Sequence, residues 1–446
     1  MKIINWTLLF LCFIALSSFF FYNPMPLFDL VTGARTIDFS IKWPVIRIIT
    51  EPFYAFSFYA LTMNRDFYRP AVISWASWTL AAAFLYCMLS GKSLFQTAVK
   101  LFYSLIILVT LFVFVALVPL PGPSLVKPEG YAAFDAHSHT VSSHDNISTA
   151  RSNLKFHLSQ GFDSFFITEH NNTVSFMNFP ESAKFKTVFP GMQIQTKDKI
   201  SVLILSDKEF NAADYKDLRL EDLIKKAHRD DKLVIMPHWW KWHKFSFKQL
   251  ADMGIDGFEI YNCGYRNFDP QEQKNMIAFA VKEKLLMVGS TDWHGWGYMT
   301  DVWTVFPKDE ETSLYRQLAA KPRTSVIVYR QEQDGSLPRF IFEPFAAFYY
   351  YVQNADLYAV LSFMIWIAII GVVAANTVLS RLCGRLSFAL AAVFAVLLIY
   401  FTLLALAYGD LNKIIKSSVI PVSAVLCALW FAYAPINKLA IKFSKK

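Results

Sequence analysis

The chain has 446 residues, room for two or three domains, and is 54% hydrophobic and 17% aromatic, which is too apolar for an ordinary soluble enzyme. Its net charge of +8 comes from 43 Lys and Arg against 35 Asp and Glu, but residues 131–340 hold 26 basic and 27 acidic residues. The basic excess therefore lies outside that polar stretch. This excludes a nucleic-acid footprint there and places positive charge where membrane topology and lipid contact use it.

In chain order, the first apolar run is Trp6–Phe21. It reads as a signal peptide or an uncleaved anchor, and the lack of a small-x-small cleavage site favours the anchor. Pro44–Leu61 is apolar but interrupted by Arg47 and Glu51, which suits an interfacial helix. Ala71–Leu89 and Leu101–Leu120 follow as predicted spans, and Leu357–Leu379, Leu386–Tyr408 and Val419–Tyr433 complete a second group of three. The predicted organisation is a membrane region over 1–125, a polar domain over 129–344 and a second membrane region over 355–446. Lys92, Lys100, Arg381, Arg385 and the C-terminal lysines favour an extracytoplasmic domain in an inner or plasma membrane. Five basic residues between Arg35 and Arg69 oppose that orientation. Cys263 is the one cysteine of the polar domain, so no disulfide within it is expected.

The polar domain alternates strand and helix patterns. Strands are predicted at Ala132–His137, Ser164–Thr168, Thr187–Phe189, Ser201–Leu205, Leu233–Met236, Gly257–Tyr261, Leu286–Ser290 and Val302–Phe306. Helices are predicted at Ile147–Gln160, Leu220–Asp230, Lys248–Met253, Pro270–Glu283 and Glu311–Ala320. The alternation argues for an α/β fold with a parallel sheet or barrel.

All nine histidines fall between His137 and His294. His137 and His139 end the first predicted strand, and His170, His238, Asp292 and His294 follow later ones, where α/β sheets carry their sites. Residues i and i+2 of a strand share a face, so Asp135, His137 and His139 are expected in one pocket, with Asp292 and His294 alongside. Imidazoles beside carboxylates suit Zn, Mn or Fe. His157 and His228 fall within predicted helices and are expected at the surface.

The series DAHSHT, SSH, ITEH, MPH and GSTDWH resembles the polymerase-and-histidinol-phosphatase (PHP) domain over roughly residues 131–330. The resemblance implies a distorted (β/α)7-type barrel, here inserted between two groups of three transmembrane helices, with up to three metal ions and phosphate-ester hydrolysis. It implies metal ligands at His137, His139, His170, His238, Asp292 and His294. His144 stands where an aspartate is expected, Glu169 replaces the aspartate before His170, and Gln193 stands at the position of a bridging glutamate. A further histidine is missing where the chain reads ISVLIL. In these terms His137, His139 and Asp292 serve one metal, and His144, His170 and His294 another. The third site is depleted, which predicts one or two ions and frees His238 to contact substrate. Asp135 and Asp292 are candidates to orient ligands or move a proton, and Glu259 is expected as buried support.

The stretch HWWKWHKFSFK follows directly. It suits a loop at the bilayer interface or an anionic head group, with Lys241 and His243 as contacts, and equally a lid over the site. Arg266 is a further candidate for phosphate. The predicted function is a membrane-embedded metal-dependent hydrolase acting on a phosphate-bearing, lipid-linked or small-molecule substrate. A metal-binding sensor or a C–N or C–O hydrolase are the alternatives.

Overall fold

A computed structural model describes residues 27–59, 65–117, 122–239, 244–264, 269–295, 300–309, 311–320, 323–329, 341–354 and 356–375. Predictions for Trp6–Phe21, Leu386–Tyr408, Val419–Tyr433, Lys241, His243 and Arg266 fall outside these residues.

Strands β1 (Phe28–Asp29), β2 (Ala34–Arg35) and β3 (Ser40–Lys42) precede the helices, and β4 (Ser124–Val126) follows them. The polar domain then supplies β5 (Tyr131–Asp135), β6 (Ser164–His170), β7 (Val188–Gln195), β8 (Ser201–Leu205) and β9 (Leu233–Met236). It ends with β10 (Gly257–Asn262), β11 (Leu286–Ser290), β12 (Val302–Pro307) and β13 (Ser325–Val328). Eleven strands form one sheet in the order β11-β10-β9-β8-β7-β6-β5-β12-β13-β1-β2, and β3 pairs with β4.

The sheet is mixed rather than parallel. β5, β6 and β7 run parallel, as do β9, β10 and β11, but β8 is antiparallel to both its neighbours. Only a five-residue turn, 196–200, joins β7 to β8, and so short a link permits only a hairpin. Between β11 and β12 the described residues form no backbone ladder. Thr304 Oγ1 crosses that gap instead, accepting from Gly289 N at 2.7 Å and donating to Gly289 O at 2.8 Å. Beyond the strands, Asp292 N donates to His137 O (2.9 Å) and His139 N to Trp293 O (3.1 Å). These bonds tie the C-terminal ends of β5 and β11 together.

The covering helices include Ala150–Ser159, Leu220–Arg229, Phe247–Asp252, Pro270–Glu283 and Leu314–Ala319. Thr149, Ser246 and Asp269 cap three of them through side-chain oxygens, and Pro270 occupies a first turn, where its missing N–H costs nothing. The largest core cluster packs Leu223, Ile224 and Ala227 of one helix against Val234, Phe258 and Ile260 of the sheet.

β1 and β2 join this sheet and β3 pairs with β4, so the segment before the helices packs in part with the polar domain's strands. The helices outside the domain are Arg47–Tyr59, Arg65–Leu89, Leu94–Leu117, Glu343–Asn354 and Leu357–Ala375. Among the described residues, one stretch, Ala71–Leu89, is long and apolar enough to cross a membrane. Leu94–Leu108 and Tyr358–Val373 are shorter apolar stretches. Arg47 and Glu51 do not mark a solvent-facing helix: they are buried and pair with each other, while Arg47 Nη1 also reaches Asp356 Oδ2 at 2.7 Å.

Candidate metal centre

The centre sits where β5, β6, β7, β9 and β11 end. β5 stops at Asp135, so side-chain alternation does not continue through His137 and His139, which lie on the connection beyond. The Asp135 carboxylate consequently does not share their pocket. One oxygen accepts from His137 N and Thr291 N (both 3.1 Å), and the other accepts from His157 Nε2 (2.9 Å) and the Thr291 hydroxyl. This fully buried carboxylate ties β5 to β11, which makes it a positioning group rather than a catalytic one.

His157 was expected at the surface but is fully buried. Its helix turns Asn153, Phe156 and His157 inward, and the imidazole stacks on Phe165 at 3.9 Å while Nδ1 bonds Asn153 O at 2.9 Å. Both ring nitrogens are paired, so burial leaves no polar cost uncompensated. His228 stays partly exposed, with Nε2 2.9 Å from Asp256 Oδ2.

His139, His170 and His294 bring ring nitrogens within 4.8 Å of one another, as do His137 and His139 with an oxygen of Asp292. His137 Nε2 and His139 Nε2 lie 3.3 and 3.2 Å from Asp292 Oδ1. The Nε2 atoms of His139 and His170 are buried, and each faces a carboxylate oxygen, of Asp292 and of Asp145, at 3.2 and 3.4 Å. Such nitrogens fit a cation.

The opposite ring edges are fixed. His139 Nδ1 meets Ser143 Oγ at 3.2 Å, and that hydroxyl donates to Glu169. Thr140 N also donates to Glu169 at 2.8 Å, and burial raises this carboxyl above its ordinary range against the pull of its donors. His294 Nδ1 donates to Asp292 O at 2.6 Å. His137 Nδ1 faces Glu259 Oε1 at 3.2 Å, and Glu259 Oε2 also accepts from His238 N at 2.7 Å. Outer partners of this kind set the tautomer and turn Nε2 toward the centre.

Asp145 is the residue the sequence reading passed over. Its oxygens lie 3.4 Å from His170 Nε2 and 3.4 Å from His294 Nε2. His144 is exposed, as is Asp145, and a ring nitrogen of His144 lies within 4.8 Å of donor atoms of Asp145 and His170, whose ring centroid is 5.1 Å away. The adjacent carboxylate thus joins His144 beside His170, and the signal was the HD pair in SSHDN.

Gln193 Oε1 lies 3.3 Å from His137 Nε2, and its amide nitrogen lies 3.2 Å from His238 Nε2. The amide thus spans the two histidines without adding charge. His238 and Asp292 have positive φ, 30° and 48°, a conformation that costs energy outside glycine and clusters at functional sites. A Cβ on Gly264 would lie 2.8 Å from Asp292 Oδ2, so that position must stay bare.

Burial opposes charge on His137, but Asp292, Glu259 and Asp135 outweigh it and raise the imidazole to about 9. His139 shifts the other way, lowered by burial and then by His294 and His170. One ligand is therefore protonated and its neighbour neutral when no cation is bound.

No family model and no curated protein matches the chain. Solved structures do. A protein from Bifidobacterium adolescentis assigned as a metal-dependent phosphoesterase is 16% identical, with a TM-score of 0.32 over 43% of this chain and 96% of that one. A two-domain Bacteroides vulgatus protein containing a predicted PHP-like metal-dependent phosphoesterase is 19% identical, with a TM-score of 0.37 over 48% and 71%. An amidohydrolase from Chromobacterium violaceum, with bound sulfate and no metal, is 11% identical, with a TM-score of 0.32 over 46% and 100%. At these values the likeness carries no functional weight, and the reading below rests on the side chains.

Proposed function

We propose that this protein is a metal-dependent hydrolase of the PHP type whose substrate is a phosphate ester. The observation that carries the reading is the convergence of the buried Nε2 atoms of His139 and His170 on the carboxylates of Asp292 and Asp145 and on His294. The simplest partition gives His137, His139 and Asp292 to one ion and Asp145, His170 and His294 to a second. Zn, Mn and Fe suit this donor set. A divalent cation would supply Lewis acidity toward the ester and activation of water near neutral pH.

The chain's own groups do the rest. Glu259 fixes both His137 Nδ1 and the backbone of His238. His238, with Nε2 beside the Gln193 amide, is placed to exchange a proton with a leaving group. Gln193 supplies no charge to bind two cations together, which supports one or two ions rather than three. The (β/α)7-type barrel belongs to this same proposal.

The experiment is a phosphomonoester and phosphodiester panel on metal-loaded wild type, His170→Ala and Gln193→Glu. Wild-type turnover that His170→Ala abolishes supports the reading. Bound metal without turnover on any ester, restored by Gln193→Glu, would identify a metal-binding or sensing domain instead. Cleavage confined to amides would assign a C–N hydrolase.

A further inference from the structure

Strand register fixes which end of the sheet meets the helices. β12 is antiparallel to β5, and β13 is antiparallel to β12, so β13 runs with β5. At its C-terminal end, Tyr329 N donates to Asp301 O at 2.9 Å, beside the start of β12 and level with the end of β5 that leads to His137. Trp43 packs edge-on against Tyr329 at 6.1 Å, whereas Phe39 packs against Tyr131 at the opposite end of β5, at 5.8 Å. β3 therefore climbs toward the metal-centre end before handing the chain to helix Arg47–Tyr59. β4 runs the other way, with Ser124 opposite Lys42, so the chain returns from the helices at that same end. The connection from β13 toward helix Glu343–Asn354 leaves there as well.

The helices root in a buried charged cluster. Arg47 binds Glu51 and Asp356, stacks on Trp43 at 3.8 Å, and Glu51 accepts from Tyr351 OH at 3.2 Å. Ser74 Oγ and Trp78 Nε1 both donate to Ile341 O, at 2.8 and 2.7 Å. Beyond the root, Ile73, Leu85, Met88, Leu94, Phe95 and Phe102 are exposed. Only 11% of the Ala71–Leu89 window is buried, whereas a core helix of a soluble domain is mostly covered. The apolar stretch Ala71–Leu89, 19 residues, spans roughly 28 Å, close to the about 30 Å of hydrocarbon, and the 24-residue helix beside it is of comparable length. Arg47 is spent on the cluster, which removes one positive charge from the Arg35–Arg69 segment that opposed the predicted orientation.

We propose that the pair Arg65–Leu89 and Leu94–Leu117 crosses a lipid bilayer and returns, and that the metal centre opens toward that bilayer. Its substrate is then a phosphate ester on a lipid of the same membrane. The substrate class rests on the phosphoester reading above. Hydrolysis breaks the P–O bond to the lipid, water supplies the new oxygen on phosphorus, and its proton passes to the leaving alkoxide. Inorganic phosphate and a lipid alcohol result. Confinement to the surface raises the effective concentration of such an ester over its soluble counterpart.

The test uses the full chain in bilayer discs. A fluorophore on Val174→Cys, exposed just beyond β6 at the centre end, is compared with one on Glu283→Cys, exposed ahead of β11 at the far end, with labelling of wild-type cysteines subtracted. Lipids with a nitroxide head group quench the Val174 label more strongly; equal quenching, or stronger quenching at Glu283, overturns the orientation. Metal-loaded protein is then given phosphatidic acid in the disc or glycerol phosphate in solution. The lipid is cleaved at least about tenfold more efficiently in kcat/KM. Equal or better cleavage of glycerol phosphate overturns the lipid substrate. Cleavage of neither overturns the hydrolase reading and the substrate class with it, while the quenching result judges the geometry separately.

Discussion

The Nδ1 atom of His139 lies 3.2 Å from the Ser143 hydroxyl oxygen, and this short contact decides which face of the imidazole the centre receives. Ser143 donates to Glu169, so it accepts from Nδ1–H, and Nε2 is left as a bare lone pair. Ser143→Ala and Glu169→Gln each weaken metal binding by about 10- to 100-fold, the usual effect of losing an outer partner. Titration calorimetry with Zn or Mn checks this, and affinities unchanged in both variants would show that the relay positions nothing.

Asp145 and His144 are both exposed, but Asp145 faces two histidine nitrogens at 3.4 Å, whereas His144 adjoins His170 alone of those two. Asp145→Asn therefore lowers affinity for the more weakly bound ion by at least about tenfold, and His144→Ala changes it by less. Metal titration of the two variants side by side decides; a larger loss in His144→Ala would restore the assignment made from sequence.

The paired histidines make binding pH-dependent. His137, raised to about 9, must lose a proton to ligate, while the lowered His139 already lacks one. Binding at pH 7.5 releases about one proton from this pair, and affinity climbs with pH until about 9. Calorimetry in buffers of different ionisation enthalpy reads the proton count. The stability effect has the opposite slope. A raised pKa stabilises the metal-free fold fully below about 6.5 and loses that contribution as pH rises through about 9. The thermal midpoint of metal-free protein falls on that alkaline side, and a midpoint that rises there would contradict the His137 environment.

His157 and Asp135 are a buried pair with no role in ligation. His157→Ala leaves the Asp135 carboxylate short of one donor in a site closed to water, at a cost of about 2–4 kcal/mol. The thermal midpoint falls clearly while metal affinity changes little. A normal midpoint with lost metal binding would move His157 into the centre.

Eight strands of the polar domain were legible because each is a short apolar run between turn signals, but β13, Ser325–Val328, was missed. β8 reversed direction for a reason visible only in the link to β7, not in its own residues. The small strands β1 and β2 were not legible, since two-residue elements depend on a distant edge, here β13. Ligand types were readable from His and Asp at strand ends, but their facing was not. β5 ends at Asp135, two residues short of the predicted His137, which removed Asp135 from the centre, and the turn through Ser143 brought Asp145 beside His170 together with His144. His157 looked like a surface residue because one helical histidine reveals neither its buried face nor its partner across the sheet.

His139 belongs to two of the three donor groups among the described residues, whereas His238 belongs to none and is held beside Gln193. The most direct measurement is therefore the metal content of purified wild type, His139→Ala and His238→Ala by elemental analysis. Wild type carries one or two equivalents of a divalent transition metal, His139→Ala loses at least one, and His238→Ala keeps the wild-type content. Full metal content in His139→Ala, or loss confined to His238→Ala, would contradict the centre described.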